Sequence, residues 1–354
     1  MESEVNDIRW MQRCLELASK GKNGVLQNPM VGSVIVYNNK IIGEGFHHEY
    51  GKEHAEVKAI NHVKDKSLLT HSTLYVSLEP CAHFGKTPPC SDLIITHNIK
   101  RVVIATIDPF SEVSGKGIEK LINAGIETKV GVLQDEARFL NRQFFVFHKK
   151  KRPYIILKWA ESSDGFIDIN RDNNEMGSYP ISQPESAYYN HQWRTDEHAI
   201  LVGYNTAHVD NPNLTSRKIF GTNPLRIVFD NSLNLDTSYN VFNNDAPTWI
   251  VNHQVNKTED HVKFIKVDPK KPLIEELSEL LFQENKQSII IEGGAKTHRL
   301  FMDSNLWDEI RVIKSHTPIH DGLPANSTDT NMATYQFNYL NDQIICMLNP
   351  DLKL

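Results

Sequence analysis

Thr73-Leu74-Tyr75-Val76-Ser77-Leu78-Glu79-Pro80-Cys81 is an apolar, partly β-branched run that ends on an acid, a proline and a cysteine, and eight residues separate it from Pro88-Pro89-Cys90 numbered at its last residue. The run predicts a strand over 73–78 and a helix that starts at Cys90 and covers 93–95, Pro89 suiting a helix start because its missing N–H has no intrahelical partner there. Upstream, His54-Ala55-Glu56 opens a predicted helix through Ala59, Ile60 and Val63. Before it, Val5, Ile8, Met11, Leu15 and Ala18 keep helical spacing over 5–20, and the runs 31–37 and 41–46 flank Asn38-Asn39-Lys40 as a hairpin. Downstream, a strand is predicted at 102–107, a helix at 118–124 closed by Gly125, and a strand at 128–132. This alternation implies a sheet with helices on both faces.

His148-Lys149-Lys150-Lys151-Arg152-Pro153 breaks the alternation, and the domain boundary is placed there, its charges read as a solvated connector. Beyond it strands are predicted at 154–159, 199–202, 226–229, 249–251, 264–267 and 288–291, with helices at 184–194, 273–282 and 296–302. The second half is another α/β unit. The full length of 354 residues suits two domains. A net charge of −6 and no basic stripe exclude sustained attraction to a nucleic acid backbone. The acidic, polar N-terminus and the absence of a long apolar run set aside a targeting signal and a membrane span, so a cytoplasmic protein is expected. Four cysteines are too few for a disulfide scaffold of this size. Cys14 and Cys346, without partners in sequence, are read as core.

His54, Cys81 and Cys90 fall at predicted helix starts, where the dipole and free N–H groups favour a thiolate. One His and two Cys give zinc three ligands and leave the fourth tetrahedral position open, as in catalytic sites. Zinc brings the pKa of a bound water to about 7. Glu56, two residues from the histidine, suits a proton carrier between the attacking water, a ring nitrogen and a departing amine. H-x-E with P-C and a second cysteine is the signature of zinc deaminases, which place two residues between the cysteines. The eight here form a polar insert with one cation and two prolines, read as a loop over the metal that touches the substrate. His83 as a fourth ligand would instead close a structural site, and that alternative stays open here.

No G-x-G-x-x-G follows a strand. Ser288-Ile289-Ile290-Ile291-Glu292, Gly293-Gly294 and the helix from Ala295 form a weaker phosphate cradle, with Lys296 and Thr297 adding donors. Plain turn chemistry is the other reading of that Gly-Gly pair.

Asn28-Pro29-Met30-Val31-Gly32, Gly43-Glu44-Gly45-Phe46-His47, His54-Ala55-Glu56 and the segment 78–90 closely resemble the bifunctional riboflavin-biosynthesis deaminase/reductases. The segments 153–158, 163–165, 198–203, 210–215 and Glu292-Gly293-Gly294 resemble their reductase half, so the likeness runs in order along nearly the whole chain. It implies a cytidine-deaminase-like three-layer α/β/α domain at residues 1–147 and a dihydrofolate-reductase-like α/β domain at residues 152–354. The first would deaminate 2,5-diamino-6-(5-phosphoribosylamino)pyrimidin-4(3H)-one, and the second would reduce the ribosyl group to ribityl with NADPH.

Residue by residue, the resemblance implies zinc on His54, Cys81 and Cys90, with Glu56 as proton carrier. Asn28, His47, Glu79, His83, Lys86 and Asp108 would surround the pyrimidine and its ribosyl phosphate. Glu161, Thr206, Asp210, Gly294, Ala295, Lys296, Thr297, His298, Arg299 and Leu300 would contact NADPH. Lys158, Ser178, Arg194, Leu214, Arg217 and Glu292 would contact the second substrate, Arg194 and Arg217 supplying the guanidinium donors that a ribose phosphate suits. The chain departs from the family pattern at Phe110, where relatives often have Asn, at Pro180 in place of a Trp, and over 316–330, which lacks the usual glycine-rich pattern. Expected partners are a small phosphorylated pyrimidine and further copies of the chain, with no nucleic acid and no membrane. The competing readings are a deaminase whose C-terminal half only binds ligand or builds an oligomer, an RNA-editing deaminase, which the acidic balance opposes, and a non-enzymatic scaffold around a closed zinc site.

Overall fold

Helix α1 (Glu2–Ser19) buries Trp10, Met11, Cys14, Leu17 and Ala18, a single apolar stripe at helical spacing. The stripe lies on a sheet built from β1 (Gly32–Tyr37), β2 (Lys40–Phe46), β3 (Thr73–Val76), β4 (Arg101–Ile104) and β5 (Glu127–Val130). The strand order is β2-β1-β3-β4-β5, antiparallel around β1 and parallel from β3 to β5. Helices α2 (Ala55–His62), α3 (Cys90–Thr96) and α4 (Lys116–Asn123) cover the other face, burying Ala59, Ile60, Ile94 and Leu121 against Ile35, Leu74, Val102 and Ile104. The result is a three-layer α/β/α unit. Helices α5 (Gln134–Leu140) and α6 (Arg142–Lys150) complete it. The computed structural model describes residues 2–22, 24–25, 27–84, 88–110, 114–171, 175–326 and 333–354. It divides into two compact units, residues 1–151 with Leu354 and residues 152–353.

The second unit opens with β6 (Tyr154–Glu161), followed by β7 (Phe166–Ile169), α7 (Ala187–Asp196), β8 (Ala199–Gly203), α8 (Tyr204–Asp210) and β9 (Leu225–Phe229). Then come β10 (Thr248–Asn252), β11 (Lys257–Glu259), β12 (Val262–Lys266), α9 (Leu273–Gln283), β13 (Ser288–Ile291) and α10 (Ala295–Asp303). The chain closes with β14 (Glu309–Lys314), β15 (Gly322–Pro324), β16 (Tyr335–Tyr339) and β17 (Asp342–Leu348). Among the described residues one sheet runs β11-β12-β10-β9-β8-β13-β6-β14-β17-β16, parallel from β12 to β14, while β7 and β15 pair apart from it. The central strands are buried along their whole length, the pattern of a parallel sheet covered on both faces.

Expected strands and helices are recovered with ends that move by up to three residues. The strand expected over 102–107 stops at Ile104, and the one over 73–78 stops at Val76, because the chain turns there into the site. The first three residues of the basic run, His148, Lys149 and Lys150, form the last turn of α6 and meet the negative end of the helix dipole, and the two units divide after Lys151, within the run. Cys14 and Cys346 are buried, as core residues should be.

Asp7 ties α1 to three strands. It accepts from the Tyr75 hydroxyl at 2.9 Å, from Arg101 at 3.0 and 2.9 Å, and from Lys129 at 2.9 Å. Burial pushes the Asp7 carboxyl up, but bonds from Arg101, Lys129 and Tyr75 outweigh it and hold the group at about 2, below its ordinary 3.8. The stabilisation is therefore complete above about pH 4 and fades as the pH falls toward 2. Asp7→Asn is expected to cost about 2–3 kcal/mol at neutral pH and to flatten the acid limb between about pH 4 and 2. Circular dichroism during acid and urea titration checks both; an unchanged acid limb would remove Asp7 from the account.

Candidate active sites

His54 sits just before α2 in extended backbone, with its carbonyl accepting the Lys58 N–H at 3.2 Å, so the helix begins on the histidine. Cys90 is the first residue of α3, with Pro89 capping it. The first N–H groups of α3 have no intrahelical partner and turn to Cys81: Cys90 N–H reaches its Sγ at 3.3 Å and Ser91 N–H its carbonyl at 3.2 Å. His54 Nδ1 lies 3.3 Å from Cys90 Sγ and 3.6 Å from Cys81 Sγ. Zinc–nitrogen and zinc–sulfur bonds of about 2.0 and 2.3 Å at a tetrahedral angle separate the two donors by about 3.5 Å. The three side chains therefore fit one zinc ion, and they are the metal-holding group found among the described residues. His83 is exposed and outside that group.

Glu56 is 3% exposed, and burial pushes its carboxyl up to about 7, with His54 opposing and Cys81 assisting. The Cys90 thiol donating to Cys81 Sγ and the neighbouring His54 outweigh burial and draw the Cys81 thiol below its ordinary value. His47 lies edge-on to His54, ring centres 5.5 Å apart. The Asn28 amide donates to His47 Nε2 at 3.0 Å, and Nδ1 donates to the Glu53 carbonyl at 3.2 Å, which uses both ring nitrogens and fixes the Asn28 amide. Burial drives the His47 pKa down, in keeping with a neutral ring. Asn141, unread in the sequence, holds the same loop by a reciprocal pair, Met30 N–H to Oδ1 at 2.8 Å and Nδ2 to the Met30 carbonyl at 2.9 Å. The two residues are 111 positions apart, so no spacing could point to it.

Glu79 departs from its expected place against substrate. Its oxygens accept the backbone N–H groups of Asp108, Gly115, Gly117 and Ile118, filling the acceptor positions of a carboxylate. Asp108 is buried, and burial, helped by Glu79, lifts it to about 7 against the bond from Phe110 N–H. Phe110 packs its ring 5.1 Å from that of His148. Lys86 lies outside the described residues.

In the second unit, Lys158 on β6, Arg194 on α7 and Glu292 at the end of β13 come together. Arg194 grips Glu292 with Nε at 2.9 Å and Nη2 at 2.5 Å, and its Nη1 reaches the Thr215 carbonyl at 3.1 Å. Arg194 is held on Glu292 by this fork with part of its donor set unused, and Arg217 is exposed near His191. Burial pushes Glu292 up, but the Arg194 and Lys158 cations outweigh it and hold it at about 2. Burial drives the Lys158 amine down. His191, also unread in the sequence, donates from Nδ1 to the Thr215 carbonyl at 3.1 Å and so fastens the backbone beside buried Leu214. Ser178 and Pro180 are exposed.

The turn before α10 meets Thr206, whose Oγ1 would lie 3.2 Å from a β-carbon on Gly294. A β-carbon on Gly203 would come within 2.5 Å of Thr297 Oγ1, and Thr297 is buried. His298 is also turned inward, 3.0 Å from the Ile291 carbonyl, and burial drives it down to about 4. Ala295 is half-buried, while Lys296, Arg299 and Leu300 are exposed. Asp210, at the end of α8, has burial and Asp168 raising its carboxyl and Arg171 lowering it. Glu161 is buried and accepts from Trp159 Nε1 at 2.9 Å, with Lys314 at 3.6 Å. Of the stretch 316–330, residues 327–330 lie outside the described residues.

Two family profiles match the chain: "Cytidine and deoxycytidylate deaminase zinc-binding region" over residues 4–106 and "RibD C-terminal domain" over residues 153–317. The riboflavin biosynthesis protein RibD of Aquifex aeolicus is 40% identical over 326 residues, 90% of this chain and 89% of the relative. That of Bacillus amyloliquefaciens is 36% identical over 357 residues, covering 98% and 94%. A crystal structure of a diaminohydroxyphosphoribosylaminopyrimidine deaminase/5-amino-6-(5-phosphoribosylamino)uracil reductase from Thermotoga maritima superposes with a TM-score of 0.86 at 34% identity, over 98% of this chain and 99% of that one. No helix among the described residues is long and apolar enough to cross a membrane. The donor geometry predicts about one zinc per chain, and C90A is expected to bind almost none. Elemental analysis after dialysis measures both; stoichiometric zinc in C90A would mean that the ion is held elsewhere.

Proposed function

The chain belongs to the family of bifunctional riboflavin-biosynthesis deaminase/reductases, and from that premise we propose which of its residues carry each of the two reactions. It is a deaminase and a reductase of riboflavin biosynthesis, with zinc and NADPH as cofactors. In our reading residues 1–147 remove ammonia from 2,5-diamino-6-(5-phosphoribosylamino)pyrimidin-4(3H)-one, and residues 152–354 reduce the ribosyl group of the product. The meeting of His54, Cys81 and Cys90 beside a buried Glu56 carries this assignment.

We assign zinc to His54, Cys81 and Cys90. When bound, zinc supplies Lewis acidity that brings a water into the neutral range. Glu56 takes the proton of the attacking water, passes it to the ring nitrogen, and delivers the second to the departing amine as the carbon–nitrogen bond breaks and ammonia leaves. Burial raises this carboxyl's hold on a proton, the direction that proton transfer by a carboxyl needs. Asn28, oriented by His47, and Asp108 hold the pyrimidine.

In the second domain, NADPH when bound supplies the hydride. Thr206 and the backbone from Gly294 to Lys296 position it, and Lys158 and Glu292 orient the ribosyl group, with Arg217 on the phosphate. Orientation dominates this chemistry, so no acid–base triad is called for. We place the enzyme in the cytoplasm, where NADPH and phosphorylated intermediates are held, and as a homo-oligomer. The outer strand β16, Tyr-Gln-Phe-Asn-Tyr, carries no charge and exposes Tyr335 and Phe337, which supports pairing with a second copy. Sedimentation equilibrium of the intact chain tests it.

Glu56→Gln is expected to keep zinc, to lower deamination by about 10²–10⁴-fold, and to leave NADPH oxidation with deaminated substrate unchanged. Normal deamination by E56Q would sink the assignment. Arg194→Lys replaces a two-pronged contact with a point charge. It is expected to weaken the reductase by about tenfold or more while deamination holds, and a nicotinamide-absorbance assay beside ammonia release separates the two.

A further inference from the structure

Glu79 is 4% exposed, and among the described residues its carboxylate bonds run to backbone. Oε2 accepts from Asp108 N–H at 3.2 Å and Gly115 N–H at 2.9 Å, while Oε1 accepts from Gly117 N–H at 2.9 Å and Ile118 N–H at 3.3 Å. The donors belong to two places, the chain just beyond β4 and the start of α4. A separate contact fastens the same parts: a β-carbon on Gly117 would lie 1.9 Å from the Pro80 carbonyl oxygen, so α4 begins in backbone contact with the residue between Glu79 and Cys81. Glu79-Pro80-Cys81 is where the ligand-bearing segment and the Asp108 segment are joined.

We propose that Glu79 is a positioning residue for deamination, holding Asp108 at a fixed offset from Cys81 so that the substrate grip stays aligned with the zinc ligands. The proposal rests on the reading of Asp108 as a substrate contact. Asp108 is fixed from both sides, its N–H on Glu79 and its Oδ1 on the Phe110 N–H at 2.8 Å, while its Oδ2 has no partner among the described residues. A carboxylate suits this task better than any other side chain, since it accepts on both oxygens and brings no donor of its own.

Glu79→Gln keeps the shape but turns one oxygen into an NH₂ that faces two N–H donors, so half of the strap is lost. E79Q is expected to keep one zinc per chain, to raise the deaminase KM by about tenfold or more, and to hold kcat within about threefold. Asp108→Asn is expected to raise KM likewise, and the double variant no further than D108N alone, because both act through one contact. Glu79→Asp, with both acceptor oxygens on a shorter stem, is expected to fall between wild type and E79Q, and it carries the same test if E79Q does not fold. An unchanged KM, loss of zinc from a folded variant, or effects that multiply in the double variant would overturn the proposal. A wild-type KM in D108N would overturn the reading of Asp108 instead.

Discussion

The deaminase unit is organised around two N–H groups at the start of α3. Helix geometry leaves them without partners, and Cys81 supplies both acceptors, its sulfur and its carbonyl oxygen. That bond pair does three things together. It ends the strand segment at a fixed distance from the helix and sets the two sulfurs against the His54 ring, and the Cys90 N–H adds to the bonds that draw the Cys81 thiol down. The eight-residue insert between the cysteines starts and ends beside these contacts.

Much of this was legible in the residues. Zinc chemistry can be read from His54, Glu56, Cys81 and Cys90 because donor type and helix-start signals such as Pro89 are local properties. The central strands were legible for a related reason: Ser288–Ile291 and Ala199–Gly203 are apolar runs buried on both faces. β16 escaped, since Tyr335–Tyr339 is polar by turns and exposed, and an outer strand owes its state to β17 rather than to its own pattern. α6 was hidden because its final cations look like a solvated run until a helix end is there to receive them. Which side chains of α10 turn inward was not legible, since consecutive helical residues point in different directions and only the packed fold shows Thr297 and His298 buried. Asn141 and His191 act across long stretches of chain, on backbone atoms that carry no sequence signal.

Three buried glutamates show how one side chain is given three functions by its surroundings. Glu292 faces Arg194 and Lys158, and those cations hold it ionised at about 2 despite burial. A permanent anion of that kind fixes the arginine and orders Lys158, which is a positioning task. Glu56 is buried beside the metal-holding side chains, and burial pushes its carboxyl up, the direction that suits the proton carrier proposed above. Glu79 is held differently, by four backbone N–H dipoles. Dipoles from neutral backbone anchor a carboxylate without adding charge beside the zinc ligands two residues away. A cation there would compete with the metal for the Cys81 thiolate, so the fastening of the Asp108 segment is made with backbone N–H groups.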